Sequence, residues 1–101
     1  MDASKAQAAI LAAVPQEAIS KAVVLWDPRA YSPGELLGVN RIFHPADAKL
    51  WLGFIDLEPN RNWEHRALAV LVYADRRVEI RPVRRPPALT DGRGFQQLRK
   101  P

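Results

Sequence analysis

The chain of 101 residues contains no cysteine, which removes disulfide staples, thiolate metal ligands and cysteine nucleophiles together. This fits a cytoplasmic protein, and that is the expected location. No apolar run approaches the roughly 20 residues that a membrane-spanning helix needs, so a soluble chain with no membrane partner is expected. The nearest thing to a secretory core, Ala8 to Val14, is short, follows the acidic Asp2 and has only Lys5 as a basic flank.

Catalytic and ligand motifs are equally scarce. No G-x-S-x-G elbow surrounds Ser4, Ser20 or Ser32, no H-E-x-x-H occurs, and His44 stands 21 residues from His65 without a paired ligand beside it. The glycines of Asp91-Gly92-Arg93-Gly94 lack the Lys-Ser/Thr that completes a phosphate loop, so this stretch reads as a turn. There is no aromatic RNA-binding signature and no internal repeat. No cofactor is expected.

What is present suits one small folded domain. Hydrophobic residues at 48% with charged residues at 26% match ordinary globular usage and argue against wholesale disorder. The net charge of +4 is unevenly held: residues 1–75 carry seven Lys/Arg against nine Asp/Glu, and residues 76–101 carry eight against two. The basicity is local to the last quarter.

The N-terminal stretch to about Ala22 reads as helical. Ser4-Lys5-Ala6-Gln7 has the spacing of a capping box, and the alanine-rich stretch behind it carries Ile10, Leu11 and Val14 on one side. Pro15 suits the first position of a second helix reaching about Ala22. The four-residue repeat of Ile10, Val14, Ala18, Ala22 and Trp26 slightly favours one stripe continuing across the kink, whereas Val23 to Trp26 is also β-branched enough to be a first strand. Asp27-Pro28 opens a loop, and Ser32-Pro33-Gly34-Glu35 and His44-Pro45-Ala46-Asp47 each read as a single helical turn.

Strand signals follow. Trp51 to Leu57 is apolar on both alternating faces until Asp56, the mark of a strand covered on both sides. Pro59 to Asn62 turns the chain, and Ala67 to Tyr73 reads as a central strand. Beyond Ala74-Asp75-Arg76-Arg77, Val78, Ile80 and Pro82 alternate with Glu79 and Arg81, a hairpin whose second strand lies at an edge because Pro82 cannot donate to a ladder. The expected fold is α+β: a small antiparallel sheet of three to four strands, packed by the Ala-rich N-terminal helical segment over residues 1–83, with residues 84–101 as an extended basic C-terminal arm.

Three constellations bear on function. Asp56, Glu58, Glu64 and His65 combine carboxylates with an imidazole, the raw material of a hydrolase-like or metal site, though no third element completes it. The aromatic residues read mainly as core, with Trp51 and Trp63 as the interface candidates. Arg76, Arg77, Arg81, Arg84 and Arg85 form the basic set that a nucleic acid would use. The leading expectation is a non-enzymatic accessory or adaptor protein, an oligomer or small subunit, whose protein partner meets Trp51, Trp63, Arg84, Arg85, Phe95 and Leu98. A small nucleic-acid-binding protein is the alternative, and a site at Asp56 and His65 is the third option.

Overall fold

The computed structural model describes residues 1–39, 42–60, 66–90 and 92–99. Its framework is the pair of strands whose apolar residues point both ways. In β4 (Leu50–Asp56) the side chains of Leu50, Leu52 and Phe54 face one side and those of Trp51 and Ile55 the other, all of them buried. β5 (Ala67–Tyr73) pairs with β4 antiparallel, from Leu50 opposite Tyr73 to Asp56 opposite Ala67, and repeats the pattern with Ala69 and Leu71 against Val70 and Val72. A strand apolar on both faces is stable only if both are covered, since each fully buried large aliphatic contributes roughly 1.5–3 kcal/mol. Two different covers follow from this.

One face is covered by α1 (Ala3–Ala12). The Asp2 carboxylate accepts the Lys5 N–H at 2.9 Å and caps the helix, so the helix starts ahead of the Ser4 cap expected from sequence. The second helix expected from Pro15 to Ala22 is only a 3-10 turn, Gln16–Ala18, after which the chain extends as β1 (Val23–Trp26). Yet Ile10, Val14, Ala18, Ala22 and Trp26 are all buried in one cluster with Trp51, Ile55, Val70 and Val72. The four-residue stripe therefore reported burial along a helix, a 3-10 turn, a strand and the links between them rather than along one helix. Gly53 makes the close approach possible, because a Cβ there would lie 2.7 Å from Ile10 Cγ2.

The other face is covered by a two-stranded hairpin, β2 (Leu36–Val39) and β3 (Ile42–Pro45), which sets Leu37 and Val39 with Tyr31 on Leu50, Leu52, Phe54 and Leu71. Neither helical turn expected in this stretch forms. The Glu35 carboxylate does accept the Ser32 N–H at 2.9 Å, but the Glu35 N–H returns to the Ser32 carbonyl at 3.0 Å with Gly34 at φ +90°, closing a turn into β2. His44 and Pro45 belong to β3.

The main sheet runs β6-β5-β4-β1-β7 with every neighbour antiparallel, where β6 is Val78–Val83 and β7 is Gln96–Arg99. The α+β class and the hairpin between β5 and β6 are as expected. The sheet is larger than the three to four strands expected, because β1 and β7 extend it beyond β4 and β2–β3 make a second sheet. At the β5–β6 hairpin, the Tyr73 N–H donates to the Arg77 carbonyl at 2.8 Å and Arg76 sits in the left-handed region at φ 78°.

The fit between Ile10 and Gly53 is testable by chemical denaturation. Gly53→Ala is expected to cost about 1–3 kcal/mol through overpacking, and the double variant with Ile10→Ala is expected to lose less than the two single losses added together. Additive losses would show that the helix does not rest on Gly53.

Candidate functional site

Two places in the fold concentrate chemistry: a buried arginine that ties down the segment ending in β7, and the edge of β6 that no described strand pairs. After Val83 the chain crosses the β2–β3 hairpin, where the Ala88 carbonyl lies against Gly38 so closely that a Cβ on Gly38 would meet it at 2.9 Å. Leu89 packs on the hairpin-side core. The Arg93 N–H then bonds to the Thr90 carbonyl at 3.2 Å, with Gly92 at φ +84°, in the turn expected there.

That turn aims Arg93 inward. Its guanidinium donates to Asp27 Oδ2 at 2.9 Å, to the Arg29 carbonyl at 2.6 Å, to the Ala30 carbonyl at 3.1 Å and to Glu35 Oε2 at 2.8 Å. The guanidinium carbon also lies 3.5 Å from the centroid of the Tyr31 ring, a stacked cation–π contact. The Arg93 and Asp27 side chains are each 1% exposed. Asp27 is further satisfied by the Arg29 N–H at 2.9 Å. Burial pulls the Arg93 pKa down, but hydrogen bonds to Glu35 and Asp27 outweigh it and leave the pKa raised, so the charge is fixed. In turn the hydrogen bond from Arg93, with that from Ser32, holds the Glu35 carboxyl down at about 2. Four acceptors and one ring engage both terminal nitrogens and one face of this guanidinium, so the cluster is a structural clamp.

Beyond the clamp, Phe95 rests on Phe54 with ring centroids 6.2 Å apart, and β7 pairs with β1 through Trp26 opposite Gln96. Leu98 is half-buried against the helix-side core, and Arg99 donates to the Ile19 carbonyl. The segment expected as an arm thus has its described part laid across the domain and finishing as a sheet strand.

The residues singled out from sequence fall in different places. Trp51 is 4% exposed inside the helix-side core, with Lys49 Nζ 5.2 Å from the centroid of its ring. Phe95 and Leu98 pack on the chain's own two cores. Trp63 and His65, with Glu64, lie outside the described residues. Asp56 accepts the Glu58 N–H at 3.0 Å at the end of β4. Of the basic set, Arg77 pairs with Asp75 at 3.1 Å and stacks on Tyr73 at 4.1 Å, Arg81 pairs with Glu79 at 2.8 Å, and Arg76, Arg84 and Arg85 are exposed. Among the described residues no group of three acidic or histidine side chains is placed to hold a metal ion, and no helix is long and apolar enough to cross a membrane.

The free edge is different in kind. Because Tyr73 donates to Arg77 and the pairing alternates from there, Glu79, Arg81 and Val83 turn their backbone groups toward β5. The N–H and C=O groups of Val78 and Ile80 therefore point away from the sheet, as does the Pro82 carbonyl. The side chains of Val78 and Ile80, 45% and 47% exposed, continue the row of Val70 and Val72 past the limit of α1. An open groove of about 360 Å³ lies at the end of this edge, lined in part by Leu57, Leu68, Pro82 and Arg84. Opposite, β7 is four residues long, mostly polar, and paired to β1 through a register shift between Val24 and Leu25. Short, polar, irregular edges resist further pairing, whereas β6 presents six residues and an apolar row.

Sequence reading recognised β6 as an edge strand but gave Val78 and Ile80 no role. The signal lay in the same two facts: an alternating apolar row and a proline marking an edge. Arg93 carried no local signal, because its partners are 58 to 66 residues away. A scan against protein-family models, a search of curated proteins and a search of solved structures each find no match to this chain. What defines it is its own geometry, a small α+β domain whose five-stranded antiparallel sheet ends on one side in the clamped strand β7 and on the other in β6, which has β5 as its one paired neighbour among the described residues.

Two measurements check the clamp. Arg93→Ala strands a buried carboxylate and is expected to cost about 3–5 kcal/mol in denaturant unfolding. Arg93→Lys is expected to recover only a minor part, since a single ammonium cannot reach Asp27 and Glu35 as a planar fork does. A loss under 1 kcal/mol for both would contradict the clamp. The second is pH dependence. The Glu35 carboxyl is depressed from its ordinary 4.5 to about 2, so its contribution is complete above the ordinary value and is lost as pH falls toward about 2. The stability gap between the unaltered chain and Glu35→Gln should close across that window, and a gap constant with pH would count against it.

Proposed function

We propose that this chain is a non-enzymatic protein-binding module, an accessory or adaptor subunit that adds a strand from another polypeptide to the free edge of β6. The observation that carries this reading is the coincidence, on one strand, of outward backbone donors and acceptors with the exposed side chains of Val78 and Ile80. Backbone pairing supplies affinity in such strand addition, and alternate side chains supply selectivity. The neighbouring groove with Leu57, Leu68 and Pro82 extends the apolar surface. Arg84, exposed at its rim, suits the polar margin of an interface.

A nucleic-acid partner is favoured less by the same surface. Arg77 and Arg81 are held by Asp75 and Glu79, Arg93 is sealed inside, and the exposed row between them is aliphatic, with no ring offered for base stacking.

The test is recovery of polypeptide, the chain's own or another, on the immobilised chain from nuclease-treated native extract, set against recovery on an Ile80→Lys variant that is folded by circular dichroism. Polypeptide held at near-stoichiometric yield by the unaltered chain and reduced at least tenfold by the variant is expected. Equal recovery on both would overturn the role of β6, and binding abolished by nuclease alone would favour the nucleic-acid reading.

A further inference from the structure

The β6 edge is complementary to itself. We infer that its occupant is a second copy of this chain, paired antiparallel across a two-fold axis at Ile80 so that two five-stranded sheets become one of ten. This rests on the reading of β6 as a strand-accepting edge and names the strand it accepts.

Three features of Val78–Val83 select this register. The first is charge. With Ile80 opposite Ile80 of the second copy, Glu79 stands opposite Arg81 and Arg81 opposite Glu79, both pairs on the hairpin side of the sheet. Directly opposed charges of unlike sign stabilise an antiparallel pair, and like charges destabilise it. Shifting the register by two residues brings Glu79 opposite Glu79 or Arg81 opposite Arg81.

The second is the backbone. Ile80 turns both its N–H and its C=O outward, so two copies exchange a reciprocal pair of bonds at the axis. Val78 comes opposite Pro82, whose carbonyl accepts the Val78 N–H and whose missing N–H leaves only the Val78 carbonyl to water. The ladder therefore has four bonds, with proline at its two ends rather than its middle, where a lost donor matters least.

The third is the apolar row. On the helix side, Val70 and Ile80 of one copy continue into Ile80 and Val70 of the other, and Val72 and Val78 continue into Pro82 and Leu68. Because the axis is perpendicular to the sheet, both α1 helices lie on the same face and flank this row. The exposed surface of Val78 and Ile80 becomes the floor of a channel between them.

Charge reversal tests the register directly. The variants E79R and R81E each put like charges opposite one another in a dimer of identical chains, but when mixed they place every Arg opposite a Glu. Light scattering on the unaltered chain is expected to give about twice 11.4 kDa. Each variant alone, folded by circular dichroism, is expected to shift at least tenfold toward monomer, and the equimolar mixture to regain the dimer. If either variant fails to fold, the single variants Glu79→Cys and Arg81→Cys, mixed in equal amounts, read the same register, because a cross-link formed in the mixture and in neither variant alone pairs position 79 with position 81. The chain has no other cysteine, and opposed residues of a non-hydrogen-bonded pair suit a disulfide, so a cross-linked dimer on a non-reducing gel is expected from that mixture.

An unaltered chain that dimerises while the mixture stays as dissociated as its parts, or that yields no cross-link, overturns this pairing and leaves self-association standing. A strictly monomeric chain whose β6 nevertheless retains another polypeptide overturns the second copy as occupant and leaves the strand-accepting reading intact. Monomer together with no Ile80-dependent binding removes both.

Discussion

The arrangement depends on one buried ion cluster. Arg93 joins Asp27, Glu35 and two backbone carbonyls, with its guanidinium over the Tyr31 ring, and so closes the segment leading into β7 onto the loop between β1 and β2. Without it, Asp27 would be a carboxylate buried at 1% exposure with no countercharge, and the four-residue β7 would be left with its ladder to β1, the packing of Phe95 and Leu98, and the Arg99 bond to the Ile19 carbonyl. Fixing such a short segment opposes chain entropy of about 1–2 kcal/mol per residue, so a strong local anchor is needed. The clamp also brings β7 to β1, so the described sheet ends in β7 on that side and in β6 on the other.

Much of the central sheet could be read beforehand, and the reason is physical. β4 and β5 are long, apolar on both faces and bounded by turn formers, so their local pattern and their tertiary environment agree. β6 was legible because Pro82 tolerates only an edge. What was not legible depends on distant residues. β2 and β3 are short, and the Pro33-Gly34 ahead of β2 and the His44-Pro45 inside β3 resemble helix starts equally well until pairing decides. β7 is Gln-Gln-Leu-Arg, a sequence with no strand pattern of its own, and becomes a strand because Arg93 delivers it to β1.

The stripe from Ile10 to Trp26 shows how a correct signal can suggest the wrong backbone. All five residues are buried together, but Ile10 comes from a helix, Ala18 from a 3-10 turn, Trp26 from a strand, and Val14 and Ala22 from the links between them. Burial selected the residues, while Pro15 and the β-branched pair Val23 and Val24 selected the conformations. The candidate site followed the same division. Trp51, Phe95 and Leu98 stood out as large apolar side chains, and Trp51 is buried in the domain while Phe95 and Leu98 lie half-buried against its cores, whereas the modest Val78 and Ile80 are exposed on the strand whose outer edge no described strand pairs. Location on an edge, more than size, marks the surface with unmet pairing capacity.

The most direct measurement of the clamp's role is native-state hydrogen exchange of the unaltered chain. The account predicts that the amides of Gln96–Arg99 bonded to β1 exchange only with the opening of the domain, at a free energy close to that of the Trp51 to Ile55 amides in β4. Exchange of the β7 amides at the rate of an unstructured peptide, while β4 remains protected, would contradict it.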